Sequence, residues 1–107
     1  MSRIKVRRSP EADDLFQAML SLKSVEECYA FFSDLFTVQE LAAFAQRFQV
    51  ARMLSDGSTY EMIRQQVPVS SSTITRINTE LRYGSGGYQM VLERLGPKRQ
   101  EMKQEEP

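Results

Sequence analysis

A chain of 107 residues with 41% hydrophobic side chains makes one small domain and buries roughly 60 to 70% of its unfolded surface, so a second copy would help it close a core. Its 14 basic and 14 acidic residues cancel, and a pI near 6.3 excludes an indiscriminately basic nucleic-acid binder, whose pI would exceed about 9. With no histidine and Cys28 as its one cysteine, the chain cannot form an internal disulfide or a paired-cysteine metal site, and it fits a reducing compartment.

No run of about 18 apolar residues occurs, and the basic amino terminus leads into charged sequence rather than an apolar core, so a cytoplasmic protein without a membrane span or signal peptide is expected. The charge is unevenly spread. Residues 1 to 10 carry Arg3, Lys5, Arg7 and Arg8 without an acid, and residues 11 to 40 carry seven acids against Lys23 alone. Residues 41 to 82 carry five arginines against three acids.

Residues 1 to 9 lack a core pattern and read as a basic flexible arm, either a solvated tail or a segment that touches a DNA backbone. Ser9, Pro10 and Glu11 then supply a cap, a first-position proline and a first-turn acid for a helix whose apolar side is Leu15, Phe16, Met19, Leu20 and Leu22. Ser24 and Glu27 form a capping box for a second helix. Its apolar residues, Val25, Cys28, Tyr29, Phe31, Phe32, Leu35 and Phe36, occupy more than one face, which calls for a second surface such as a partner subunit. Cys28 reads there as a small packing residue rather than a nucleophile.

Thr37 and Glu40 form another capping box, opening a helix with Leu41, Phe44, Phe48, Ala51 and Leu54 along one side; Ser55, Asp56 and Gly57 end it. Next comes the stretch from 58 to 83, two short helical patterns separated by residues that cannot be helical. Ser58 and Glu61 predict a capping box for the first, with Met62, Ile63 and Val67 as its inner stripe. Pro68 ends that helix, and Ser70, Ser71 and Ser72 are candidate caps for the second, where Ile74, Ile77 and Leu81 keep the spacing of a buried face. Ser72, Thr73, Thr75, Arg76 and Thr79 are left outward. Helices of about nine and about twelve residues around a tight turn have the proportions of a helix-turn-helix.

A break at Gly84, Ser85, Gly86 and Gly87 precedes a short helix bearing Tyr88, Val91, Leu92 and Leu95, which Gly96 and Pro97 stop. Residues 96 to 107 read as a charged flexible tail, leaving a helical domain over 10 to 95. The fold class expected is all-α with six helices.

With six helices in this order, the pieces LKSVEECYAFFSDLFTVQEL, AQRFQVARMLSDG and SSTITR make the chain resemble the Trp repressor superfamily from about Asp13 to Leu95, most of all its YerC/YecD branch. The resemblance implies an intertwined all-helical homodimer that binds double-stranded DNA and regulates transcription. It also implies that Tyr60 and Arg64 of the first motif helix and Ser71, Ser72, Thr73 and Thr75 of the second face DNA, where hydroxyls can bond phosphates or base edges and Arg64 can neutralise a phosphate. Arg76 joins them as a candidate DNA contact because it lies on the same outward face.

By the same resemblance Thr37, Arg47 and Arg76 stand where the relatives hold tryptophan. Ile77, however, stands in place of a glycine that leaves room for the indole, and Glu80 in place of a serine, which argues against tryptophan as ligand and leaves any effector unknown. Arg47 and Arg76 could instead pair with Glu80 or Glu40. Pro68 stands where the relatives have glycine in the turn, so the turn has a different shape or the second helix a different aim.

Two functions remain. The first is a homodimeric sequence-specific DNA-binding regulator, a repressor by resemblance; the second is a helical protein-interaction module that keeps the fold without reading DNA. An enzyme is not expected: no Gly-rich phosphate loop follows a strand, and the pairs Asp13/Asp14 and Glu26/Glu27 suit helix first turns.

Overall fold

The computed structural model describes residues 4–97, which form α1 (Pro10–Leu20), α2 (Val25–Leu35), α3 (Val38–Ser55), α4 (Tyr60–Gln66), α5 (Ser71–Tyr83) and α6 (Gly87–Leu95). No strand occurs among the described residues. Arg3 of the expected arm and residues 98 to 107 of the expected tail lie outside them. The chain divides into two compact units, Ile4–Gln46 and the part from Arg47 onward, with α3 contributing to both.

In the first unit the caps are local and follow the residue types. The Ser9 hydroxyl accepts from the Ala12 amide at 3.0 Å, with Pro10 at the first helical position. α1 closes at Ser21, so Leu22 falls beyond the helix it was expected to complete. The Ser24 hydroxyl caps Glu27 at 3.1 Å, but the Glu27 carboxylate reaches back to the amide of Lys23, not to that of Ser24. Thr37 and Glu40 do form the reciprocal box, with bonds of 2.9 and 3.0 Å.

Rings join α2 to the start of α3: Phe32 stacks on Phe36 at 5.3 Å, and Phe36 meets Phe44 edge-on at 5.1 Å. Even so, no residue of Ile4–Gln46 is fully buried. Leu20, Val25, Tyr29 and Val38 are 66 to 83% exposed, so the apolar faces of α1 and α2 stay open to solvent within one chain.

Among the described residues, every buried hydrophobic residue lies in the second unit. Val50, Ala51 and Leu54 of α3, Ile63 of α4, Val67 just beyond it, Ile74, Ile77 and Leu81 of α5 and Leu92 of α6 form one cluster, flanked by Phe48, Met53, Tyr60, Val69 and Tyr88. Of the face expected on α6 only Leu92 is buried; Val91 and Leu95 are exposed.

α3 ends in a Schellman motif. Gly57 takes φ +93°, its amide bonds the Leu54 carbonyl at 3.1 Å, and the Ser58 amide bonds the Met53 carbonyl at 2.9 Å. Ser58 is thereby committed to the end of α3. The cap of α4 is instead Thr59, whose hydroxyl accepts from the Met62 amide at 3.1 Å, which corrects the expected Ser58 box.

At the far end of α5 the Gly84 amide bonds the Glu80 carbonyl, and a Cβ on Gly84 would collide with that backbone oxygen, so only glycine fits. The Leu81 carbonyl, left without an intrahelical partner, accepts from the Gln89 side chain of α6 at 2.8 Å.

Candidate nucleic-acid interface

Residues 67–70 turn α4 into α5 without any left-handed residue, since glycines alone take positive φ among the described residues. The Val69 amide bonds the Val67 carbonyl at 2.8 Å across Pro68. Such a tight turn needs a central φ near −75°, close to the value proline is locked to, so Pro68 is compatible with a turn of its own shape.

α4 starts one residue later than expected, and its inner face differs in part from the expected one. Tyr60, Ile63 and Val67 point inward at i, i+3 and i+7, while Met62 is 46% exposed, which corrects its place in the inner stripe. Tyr60, expected against DNA, is half-buried and packs on the core. Arg64, one turn beyond Tyr60 at the edge of that face, is exposed.

On α5 the inward residues are those expected, with Ile74 at 0% and Ile77 at 5% exposure. Ser71, Ser72, Thr75 and Arg76 are exposed, and Thr73 is half-buried. Arg76 has no bonded partner among the described residues. Thr79 turns its hydroxyl back to the Thr75 carbonyl at 3.0 Å, so that group is used within the helix.

Ser70 organises the start of α5. Its hydroxyl accepts from the Thr73 amide at 3.2 Å, donates to the Thr73 hydroxyl at 3.0 Å, and lies 3.1 Å from the Ser72 hydroxyl. Ser70 has a single proton. Once it goes to Thr73, Ser72 must be the donor to Ser70, which leaves Ser72 with lone pairs to offer and Thr73 with a proton to offer. Arg64 Nη1 donates to the Ser71 hydroxyl at 3.0 Å, so Ser71 likewise keeps its proton for an outside acceptor. The first turn of α5 thus presents donors at Ser71 and Thr73 and an acceptor at Ser72 at the positive end of a helix dipole, with a cation at Arg76 in the next turn.

The hub role of Ser70 and the bond between Arg64 and Ser71 were not expected. The first is signalled by a serine three before a threonine at a proline-led turn; the second joins residues seven apart across the turn and has no sequence signal.

Of the residues implied for an effector, Arg47, Arg76, Ile77 and Glu80 belong to the second unit and Thr37 to the first. Thr37 caps α3, Ile77 lies in the core, and Arg47 and Glu80 each already have an interaction partner.

An all-helical chain with a helix-turn-helix whose second helix is polar on its open side has the fold of a DNA-binding regulator. Residues 11–96 match the Trp repressor protein family, and the chain belongs to it. It is 48% identical over 88 residues to the uncharacterized protein YerC of Bacillus subtilis (strain 168), covering 82% of this chain and 85% of that one. Two solved structures share the fold at 43% identity. A TrpR-like protein from Eubacterium eligens ATCC 27750 superposes with a TM-score of 0.82 over 86% of this chain and 96% of its own. A Trp repressor candidate from Staphylococcus aureus gives 0.81 over 85% and 91%.

Proposed function

We propose that this protein is a cytoplasmic, homodimeric, sequence-specific regulator of transcription, a repressor, that reads double-stranded DNA through the start of α5. The observation that carries the proposal is the division of α5 into two sides. Ile74, Ile77 and Leu81 are buried, while Ser71, Ser72, Thr75 and Arg76 stand exposed with unspent donors, acceptors and charge. Such a face can lie in a major groove, hydroxyls on phosphates or base edges and Arg76 on a phosphate.

Dimerisation has its own support. The open apolar sides of α1 and α2 include Phe16, Leu20, Val25, Tyr29 and Leu35, which a second copy would cover. A two-fold dimer would set its two α5 helices in half-sites about one helical turn apart on a near-palindromic duplex.

Salt dependence tests the proposal against a protein-interaction module. A dimer that meets about eight phosphates should lose affinity with a log-log slope near about −7. Absence of salt-sensitive binding to any duplex at about 50 mM salt would favour the interaction module.

Tryptophan is not part of the proposed function, because Ile77, a buried branched side chain, stands where the resemblance requires a glycine to leave room for the indole. Millimolar tryptophan should leave the melting temperature unchanged; a clear rise would show binding by simple linkage and overturn this.

A further inference from the structure

We propose that Arg64 is a positioning residue for the DNA-reading helix: by holding Ser71 it fixes the start of α5 and makes the Ser71 hydroxyl a hydrogen-bond donor, an inference that rests on the DNA-binding function proposed above. Arg64 stands in the last turn of α4 and Ser71 is the first residue of α5. Their 3.0 Å bond therefore spans the turn itself.

Three features give the bond consequences. The turn it spans is already constrained, by Pro68 and by the bond from the Val69 amide to the Val67 carbonyl, so one added tie can fix the remaining freedom between the helices. A guanidinium carries five N–H donors in a rigid plane, so Nη1 can hold Ser71 while the rest of the fork meets a phosphate oxygen. A hydroxyl that accepts from a cation becomes a stronger donor and a poorer acceptor, because the two bonds polarise each other. Ser71 is thereby tuned to acceptor atoms: a phosphate oxygen, or the N7 and O6 acceptors on a purine edge.

Lysine in place of Arg64 keeps the charge but loses the planar fork, and this separates positioning from simple charge neutralisation. The experiment measures binding of the full-length parent and of Arg64→Lys, Arg64→Ala, Ser71→Ala, Ser71→Thr and the double variant Arg64→Lys/Ser71→Ala. Each is titrated over a salt series against the best duplex selected from genomic fragments and a scrambled duplex of equal composition. Circular dichroism confirms the folded state of each variant, and Arg64 and Ser71 are both exposed.

Arg64→Lys should keep the parent's salt slope yet lose about tenfold in preference for the selected duplex. Arg64→Ala should also flatten the slope, by roughly 2 for the two copies in a dimer. Ser71→Ala should match the lysine variant, the double variant should be no worse than either single, and Ser71→Thr, which keeps the hydroxyl, should retain the parent's preference. Full preference in Arg64→Lys, or losses from Arg64→Lys and Ser71→Ala that multiply in the double variant, would overturn the positioning role. A parent that binds no duplex gives a different result and overturns the DNA-binding function itself, and the positioning role with it.

Discussion

Replacing Thr73 and Thr75 together with alanine is expected to lower affinity for the preferred DNA site by about a thousandfold while leaving the oligomeric state untouched. Each lost hydroxyl contact costs about 1 kcal/mol, and a dimer presents four of them, which multiplies to roughly that factor. Neither threonine belongs to the buried cluster, so the fold should tolerate the change. Thr73 accepts the Ser70 proton, but Ser70 is exposed and water can take over that role, while the cap on the Thr73 backbone amide persists. Binding isotherms for parent and variant on the same duplex, with sedimentation to follow the dimer, check the prediction. A variant that held its best site as tightly as the parent would remove Thr73 and Thr75 from the interface.

The largest effect on stability is expected from Ile74→Ala. Ile74 is fully buried in the first turn of α5 and packs in the cluster with Ile63, Ile77 and Leu81. Truncation leaves a cavity within that cluster and should cost about 2 to 5 kcal/mol. Met62→Ala makes a useful contrast, because a side chain 46% exposed should cost under about 1 kcal/mol despite its comparable size. Chemical denaturation of the two variants ranks them; a larger loss from Met62→Ala would place Met62 in the core after all.

How far these elements could be read in advance depended on how local their causes are. Ser9, Ser24 and the Thr37/Glu40 pair were legible because a cap bonds an amide three residues away, and the two residue types suffice to name the bond. The buried face of α5 was legible for the same kind of reason, since Ile74, Ile77 and Leu81 are spaced on one helix.

Thr59 was not legible. Ser58 and Thr59 are adjacent and both can cap, and the choice was made by the Schellman motif of the preceding helix, which had already claimed the Ser58 amide. Met62 and Tyr60 were misplaced for a different reason, helical phase. Ile63 and Val67 fix the inner face, Tyr60 lies three residues before Ile63 and shares that face, and Met62, the residue before Ile63, falls about 100° away from it. The site shows the same division: the exposure of Ser72, Thr75 and Arg76 was legible from helical phase, though Thr73, expected outward too, is half-buried, whereas the bond from Arg64 to Ser71 depends on the turn's three-dimensional path.

The open faces of α1 and α2 were legible as an excess of apolar residues on more than one side of a short helix. Their exposure in the single chain gives that excess a physical form: Val25 and Tyr29 of α2 are each more than 60% exposed although their residue types favour burial. The proposed dimer would cover this excess with a second copy and set two polar α5 faces in a symmetric pair.

Footprinting of the purified protein on genomic DNA tests the central claim most directly. A dimer that reads DNA through two α5 helices should protect discrete sites made of two half-sites related by a dyad, their centres about 34 Å or 10 base pairs apart. Uniform protection without discrete sites, or no protection at about 50 mM salt, would contradict sequence-specific binding by this fold.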